Sequence, residues 1–294
     1  MNNENKKSTE DKKLKEFGLS SKYTSDSNFF ATKDLVVLPL FSAYSSDTVT
    51  RRLIRNDNTM GEFIIDGPLL NKFDMLVFFA LIKIFDTQCN DQQFNFKSSR
   101  VEFSELFDIM QLPKDQRKIA TKEKINCSIS RIENLKITKA KSKRANVFIR
   151  FIAAVNLNLD VDDKFFTIDI SSEFIEYFRE ETEHFLCHID ITKYNNLGVS
   201  AARFYLYLTA NQNYTYICRK YINMIFDLLS IDENNQIIHE VAERDATKRL
   251  KKALKELEDA KLIIFSEIIK NHKTRKIEKI NFNVNVNEFQ KRLK

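Results

Sequence analysis

Arg244, Lys248, Lys251, Lys252 and Lys255 recur at three- and four-residue intervals in the stretch R-D-A-T-K-R-L-K-K-A-L-K-E-L-E-D-A-K-L-I-I-F, residues 244–265. On a helix turning about 100° per residue, the four lysines fall within roughly 80° of Arg244. Ala246, Leu250, Ala253, Leu254 and Leu257 gather on the other side. A row of ammonium and guanidinium groups with no nucleophile or base among them suits one chemistry, the holding of a polyanion such as a phosphate backbone. Arg249 sits at the flank of this row and Thr247 on its polar side. Just beyond, Lys270, Lys273, Arg275 and Lys276 crowd a turn between two strand-like runs.

A second set lies upstream. Arg117, Lys118, Lys122 and Lys124 gather at the start of a long helix whose buried stripe is Ile125, Ile129 and Ile132, with Arg131 facing away from that stripe. Lys139, Lys141, Lys143 and Arg144 crowd the turn that follows. Four cations at one loop repel each other, and a polyanion relieves the repulsion. Asn126, Ser128, Asn134 and Thr247 are candidates to read base edges, where Asn favours adenine and Arg or Lys guanine.

Other residue types point to no reaction. His184, Cys187 and His188 have the spacing of metal ligands on one side of a helix, but no fourth ligand lies near in sequence, and structural histidines are expected instead. Asp160, Asp162 and Asp163 lack the glycine and terminal glutamate of a calcium loop and read as a solvated turn. No His-x-His pair accompanies a nucleophilic tyrosine, and Tyr205 and Tyr221 read as core. Neither a G-x-x-x-x-G-K-[ST] nor a G-x-G-x-x-G loop occurs. The expectation is no enzyme, no metal and no cofactor.

The elements that position these cations follow from the whole chain. Its 294 residues suit two compact domains, and 25 Phe in a 43% hydrophobic chain supply core material. No apolar run approaches the roughly 20 residues a bilayer requires, so a cytoplasmic protein without membrane contact is expected, its four cysteines reduced. From Lys114 to Arg144 eleven cations face three acids, and from Lys270 to Lys294 eight face two. Between them, from Asp160 to Asp190, ten acids face two cations. Two basic blocks thus flank an acidic one.

Residues 1–33 lack periodicity and read as a flexible tail. Strands are expected at D-L-V-V-L-P-L-F and G-E-F-I-I-D-G, and Pro68 is expected to open the apolar helix that follows. Then come a short strand at F-N-F-K-S-S-R, a helix at V-E-F-S-E-L-F-D-I-M, the basic helix over 115–135, and two strands around the Lys141–Ala145 turn. A further strand, F-F-T-I-D-I, leads into helix S-S-E-F-I-E-Y-F-R-E. The same order returns from Ser200: an apolar helix, the strand N-Y-T-Y-I-C, the helix R-K-Y-I-N-M-I-F-D-L-L, the basic helix and two strands. Phe94, Glu105 and Ser128 align with Tyr214, Met224 and Ala253 at offsets of 120, 119 and 125. The reading is α+β, mainly α: two tandem winged-helix domains, 34–185 and 186–294, each a helix-turn-helix with a β-hairpin wing.

Three segments resemble tandem winged-helix plasmid replication initiators that bind iteron repeats, including TrfA-like and IncQ-type proteins. They are P-L-F-S at Pro39 before G-P-L-L-N-K-F-D-M-L, then H-I-D-I-T-K-Y-N-N-L-G-V-S-A-A-R-F-Y-L-Y-L, then K-R-L-K-K-A-L-K-E-L-E-D-A-K-L-I-I-F. The resemblance covers residues 35–285. It implies sequence-specific binding of repeated origin DNA, origin opening, recruitment of host initiator and helicase proteins, and a balance of monomer and homodimer. The rival expectation is a winged-helix transcriptional regulator. A scaffold whose basic turns bind acidic proteins is a third.

Overall fold

The structure, a computed structural model, describes residues 28–32, 36, 50–57, 61–68, 70–90, 98–141, 145–156, 164–174, 186–231 and 236–289. The first half opens with β1 (Asn28–Thr32), β2 (Thr50–Asp57) and β3 (Gly61–Pro68), followed by the apolar helix α1 (Lys72–Asn90). Pro68 ends β3 rather than opening α1. Asn71 caps the helix instead: its Oδ1 accepts the Phe73 and Asp74 N–H groups, and its own N–H donates to Asp74 Oδ2 at 2.9 Å. This reciprocal pair satisfies N–H groups that a helix start leaves without an intrahelical partner.

Next come β4 (Ser98–Glu102), α2 (Phe103–Ile109) and the long helix α3 (Ile119–Asn134). Five strands' worth of chain then follows α3 in two groups: β5 (Lys136–Lys141) with β6 (Ala145–Arg150), and β7 (Ile152–Asn156) with β8 (Phe165–Ile170) before β9 (Leu186–Asp190). The second half runs α4 (Ile191–Asn196), α5 (Val199–Ala210), β10 (Tyr216–Cys218), α6 (Arg219–Ile225), β11 (Leu229–Ile231), β12 (Ile237–Glu240), the long helix α7 (Glu243–Asp259), β13 (Ile263–Lys270), β14 (Ile277–Val284) and α8 (Val286–Phe289). The protein is α+β.

Each half contains a three-stranded antiparallel sheet of matching order, β4-β8-β7 in the first and β10-β14-β13 in the second. By sheet position the counterpart of β13–β14 is therefore β7–β8. The expected match, the β5–β6 hairpin, lies in a four-stranded sheet ordered β2-β3-β5-β6. β5 leaves α3 after one residue and meets the free edge of β3, with Ile137 opposite Ile65. Gly67 makes this approach possible: its φ is +127°, and a Cβ there would stand 2.5 Å from the Asn134 carbonyl oxygen at the end of α3.

The halves share a register. β4 with α2 and β10 with α6 are separated by 116 residues, not the expected 119 or 120. Both helices end on a left-handed residue, Gln111 at φ 53° and Asp227 at φ 49°. In each, the next N–H reaches back to the helix, Leu112 to the Phe107 carbonyl and Leu228 to the Asn223 carbonyl. The β11–β12 pair, inserted before α7, then lengthens the offset to the expected 125. It places Ile125, Ile129 and Ile132 over Leu250, Leu254 and Leu257, all buried.

Aromatic rings fill both cores. Phe78 packs edge-on against Phe151 at 4.6 Å, and Phe151 against Phe174 at 4.7 Å. In the second half Phe204 meets Phe226 at 5.4 Å and Phe282 at 5.3 Å. The two halves also touch. Residues 28–32, expected within the tail, form β1, which pairs antiparallel with β9. The reason is apolar: Phe29 is buried against Phe79. Lys72 Nζ donates to the Asn195 carbonyl at 2.8 Å, satisfying the end of α4, and Asn195 Nδ2 donates to the Met110 carbonyl at 3.1 Å. Burial lowers the Lys72 pKa against an opposing pull from Glu256.

The tail 1–27, the strand at 34–41 apart from residue 36, and the helix beyond 174 lie outside the described residues. Among the described residues no helix is long and apolar enough to cross a membrane.

Candidate nucleic-acid interface

Helix α7 forms because eleven of its seventeen residues are Lys, Arg, Leu, Glu or Ala in an unbroken run from Lys248, strong helix formers all. Glu243 and Asp245 in the first turn complement its dipole. It stops at Lys261, φ 58°, where Leu262 N–H returns to the Leu257 carbonyl at 2.9 Å. Ala246, Leu250, Ala253, Leu254 and Leu257 are buried, as the sequence pattern requires. Arg244, Lys248, Lys251, Lys252 and Lys255 are exposed, and among the described residues none of them makes an ion pair or hydrogen bond. Arg249 is half-buried, with Nη1 3.4 Å from the Phe226 carbonyl.

The adjoining hairpin is fixed to this helix. Lys270 Nζ donates to Thr247 Oγ1 at 2.9 Å, and Thr247 itself donates to the Glu243 carbonyl at 2.7 Å. Thr247 thereby links the helix to the hairpin. Glu243 Oε1 accepts Ile277 N–H at 2.6 Å, and the Glu243 carboxylate pairs with Arg219 at 3.0 Å. Burial pushes the Glu243 carboxyl up, but Arg219, the Ile277 N–H and Lys270 outweigh it and hold its pKa below the usual value. At the tip, Asn271 Oδ1 accepts the N–H groups of Lys273 and Thr274, both at 2.9 Å. Arg275 sits at φ 58° and its N–H closes onto the Asn271 carbonyl at 2.9 Å. Lys273, Arg275 and Lys276 are exposed on this ordered turn.

The first half treats its cations differently. Arg117 pairs with Asp108 at 2.5 Å and donates through Nε to the Leu112 carbonyl at 2.9 Å. Lys122 lies over the Phe103 ring at 5.1 Å. Lys124 lies over Phe73 at 4.0 Å and lines a cavity of about 610 Å³ between the halves. Lys118 is exposed. Arg131, expected to face away from the isoleucine stripe, is turned toward α1. It donates through Nε to Asp74 Oδ2 at 2.9 Å and through Nη2 to Oδ1 at 2.5 Å. Asp74 is wholly buried, and a buried carboxylate requires such a partner. Ser128, expected to read bases, is buried and donates to the same carboxylate at 2.6 Å. Asn126 is half-buried, and exposed Asn134 donates to the Ser130 carbonyl at 2.8 Å. Lys139 and Lys141 lie on β5, their side chains outside the described residues, as are Lys143 and Arg144 altogether.

Sequence reasoning missed Arg219, Glu243 and Glu256 as the groups that orient α7. The available signal was an acid at each end of an otherwise cationic helix. Cys187 and His188 are neighbours on strand β9, one buried and one half-buried, so they do not share a helix face. His184 and Asp160 to Asp163 lie outside the described residues.

No protein family and no curated protein matches the chain in sequence. Solved structures do match. Domains 2 and 3 of RctB superpose with a TM-score of 0.51 at 12% identity, over 84% of this chain and 99% of that one. The Pi initiator protein, solved in complex with iteron DNA, superposes with a TM-score of 0.55 at 10% identity, over 88% of this chain and 97% of that one. At such identities the likeness is one of fold: this chain shares the α+β fold of those two structures across most of its length.

Proposed function

We propose that the protein is a replication initiator that binds repeated origin DNA as a duplex, without enzymatic activity of its own. Its two winged-helix domains, 34–185 and 186–294, would place α3 and α7 in successive major grooves, roughly 34 Å apart on one face of the DNA. The observation that carries this reading is α7: five exposed cations on one face, beside a cationic hairpin tip tied to the same helix through Lys270 and Thr247. A surface built that way matches a groove and its flanking phosphates. The folds of RctB domains and of the Pi initiator, the latter seen on iteron DNA, support the same reading. Origin opening, recruitment of host initiator and helicase proteins, and exchange between monomer and homodimer belong to this proposal.

The test is fluorescence anisotropy of the full chain on labelled duplexes from the DNA flanking its gene. Tight binding confined to direct repeats supports the proposal. Equal affinity for repeats and for shuffled duplex contradicts it.

A further inference from the structure

The two long helices present opposite chemistry at equivalent positions. With the buried stripes aligned at an offset of 125, Arg244, Lys248, Lys252 and Lys255 fall on Ile119, Glu123, Cys127 and Ser130. All eight are exposed, Ile119 at 54%. Four cations in α7 thus correspond to an apolar residue, an acid, a thiol and a hydroxyl in α3. These four lie within about 80° of one another on the helix. Of the nearby cations, Arg117 is paired with Asp108 and Arg131 with Asp74, Lys122 and Lys124 lie over phenylalanine rings, and Lys118 stands exposed beside Ile119.

Such a face is ill suited to holding phosphates, because Glu123 repels them. It suits reading bases. A carboxylate in the major groove accepts from an exocyclic amine, most often that of cytosine, and apolar groups meet the methyl of thymine. The α7 face has the reverse character: its charge attracts any duplex.

We propose that the helices divide recognition, with Glu123 and Ile119 on α3 determining sequence preference and the α7 lysines supplying sequence-independent affinity. This rests on the duplex-binding reading above. Glu123 selects a cytosine, and Ile119 selects a thymine beside it. The carboxylate lowers affinity for every duplex that lacks the cytosine.

The experiment is selection of the full chain on a pool of duplexes with a randomised core, followed by salt titrations on the enriched sequence. Three proteins are compared: wild type, Glu123→Gln, and Lys248→Gln/Lys252→Gln. The altered side chains are exposed, and circular dichroism confirms their folding. The expected result has two parts. Glu123→Gln loses preference at one C·G position by about 5- to 100-fold and binds non-specific duplex more tightly. The lysine pair enriches the wild-type motif with lower affinity and a salt slope about 1.8 shallower, two phosphates' worth. An unchanged motif from Glu123→Gln, or a changed motif from the lysine pair, overturns the division. Wild type that binds duplex but enriches no motif also overturns it. Wild type that binds no duplex removes the initiator reading with it.

Discussion

Arg131 and Glu256 occupy the same position in the two long helices, and each closes the N-terminus of an apolar helix of its own half, α1 and α5. Arg131 does so through Asp74, whose Oδ2 accepts the Asn71 N–H at the start of α1. Glu256 does so directly, its Oε2 accepting Gly198 N–H at 2.7 Å before α5. The charge reverses because α1 has an acid in its first turn and α5 has none. The carboxylate that a helix N-terminus favours comes from within in one half and from the long helix in the other.

Arg131→Met leaves the buried Asp74 carboxylate without its cation. The expected loss is about 3–5 kcal/mol of stability, the scale for breaking a buried ion pair on one side. Urea unfolding measures it. An Asp74→Asn/Arg131→Met protein should recover part of the loss, since the uncompensated charge is then gone.

Glu256→Ala removes the only side-chain acceptor at the α5 N-terminus among the described residues. A drop of about 0.5–2 kcal/mol is expected, the range for loss of a helix cap. Glu256→Gln keeps an acceptor oxygen and should lose less. Differential denaturation of the two variants checks this.

Glu243 gives a pH signature. Its folded pKa lies below the unfolded value, so its contribution is fully present above the unfolded pKa and is lost as pH falls through the folded one. Stability should therefore decline on acidification below about pH 4.3, the usual glutamate value. In Glu243→Gln that part of the decline should vanish. About a quarter of the Glu243 side chain is exposed, so solvent screens the effect and keeps it small, and urea midpoints at several pH values from 3 to 6 resolve it through the difference between the two proteins.

Asn271→Ala removes the oxygen that orders the hairpin tip under Lys273 and Thr274. Ordering that turn on binding then costs about 1 kcal/mol more, about fivefold in affinity. The thermal midpoint should change little, because the residues concerned are exposed. Anisotropy titrations and a thermal melt separate the two effects.

The two faces of α7 were legible in sequence because a 3.6-residue period needs nothing beyond the helix itself. The hairpins β5–β6 and β13–β14 were legible from alternation and turn residues. Their partners were not. Nothing local says that β14 pairs with β10 while β5 joins β3. The run R-K-Y-I-N-M-I-F-D-L-L read as one helix, yet it ends at Ile225 and its last residue starts β11, because short apolar runs look alike in helix and strand. The fate of Arg131 was hidden for the same reason, since its partner Asp74 lies 57 residues away.

The central claim is that the exposed cationic face of α7 holds duplex DNA. A mobility shift of wild type and Lys248→Glu/Lys252→Glu on the repeats flanking the gene tests it most directly. Wild type should give a discrete complex and the charge-reversed protein none, while both unfold at the same urea concentration. An equally strong complex from the charge-reversed protein would contradict it.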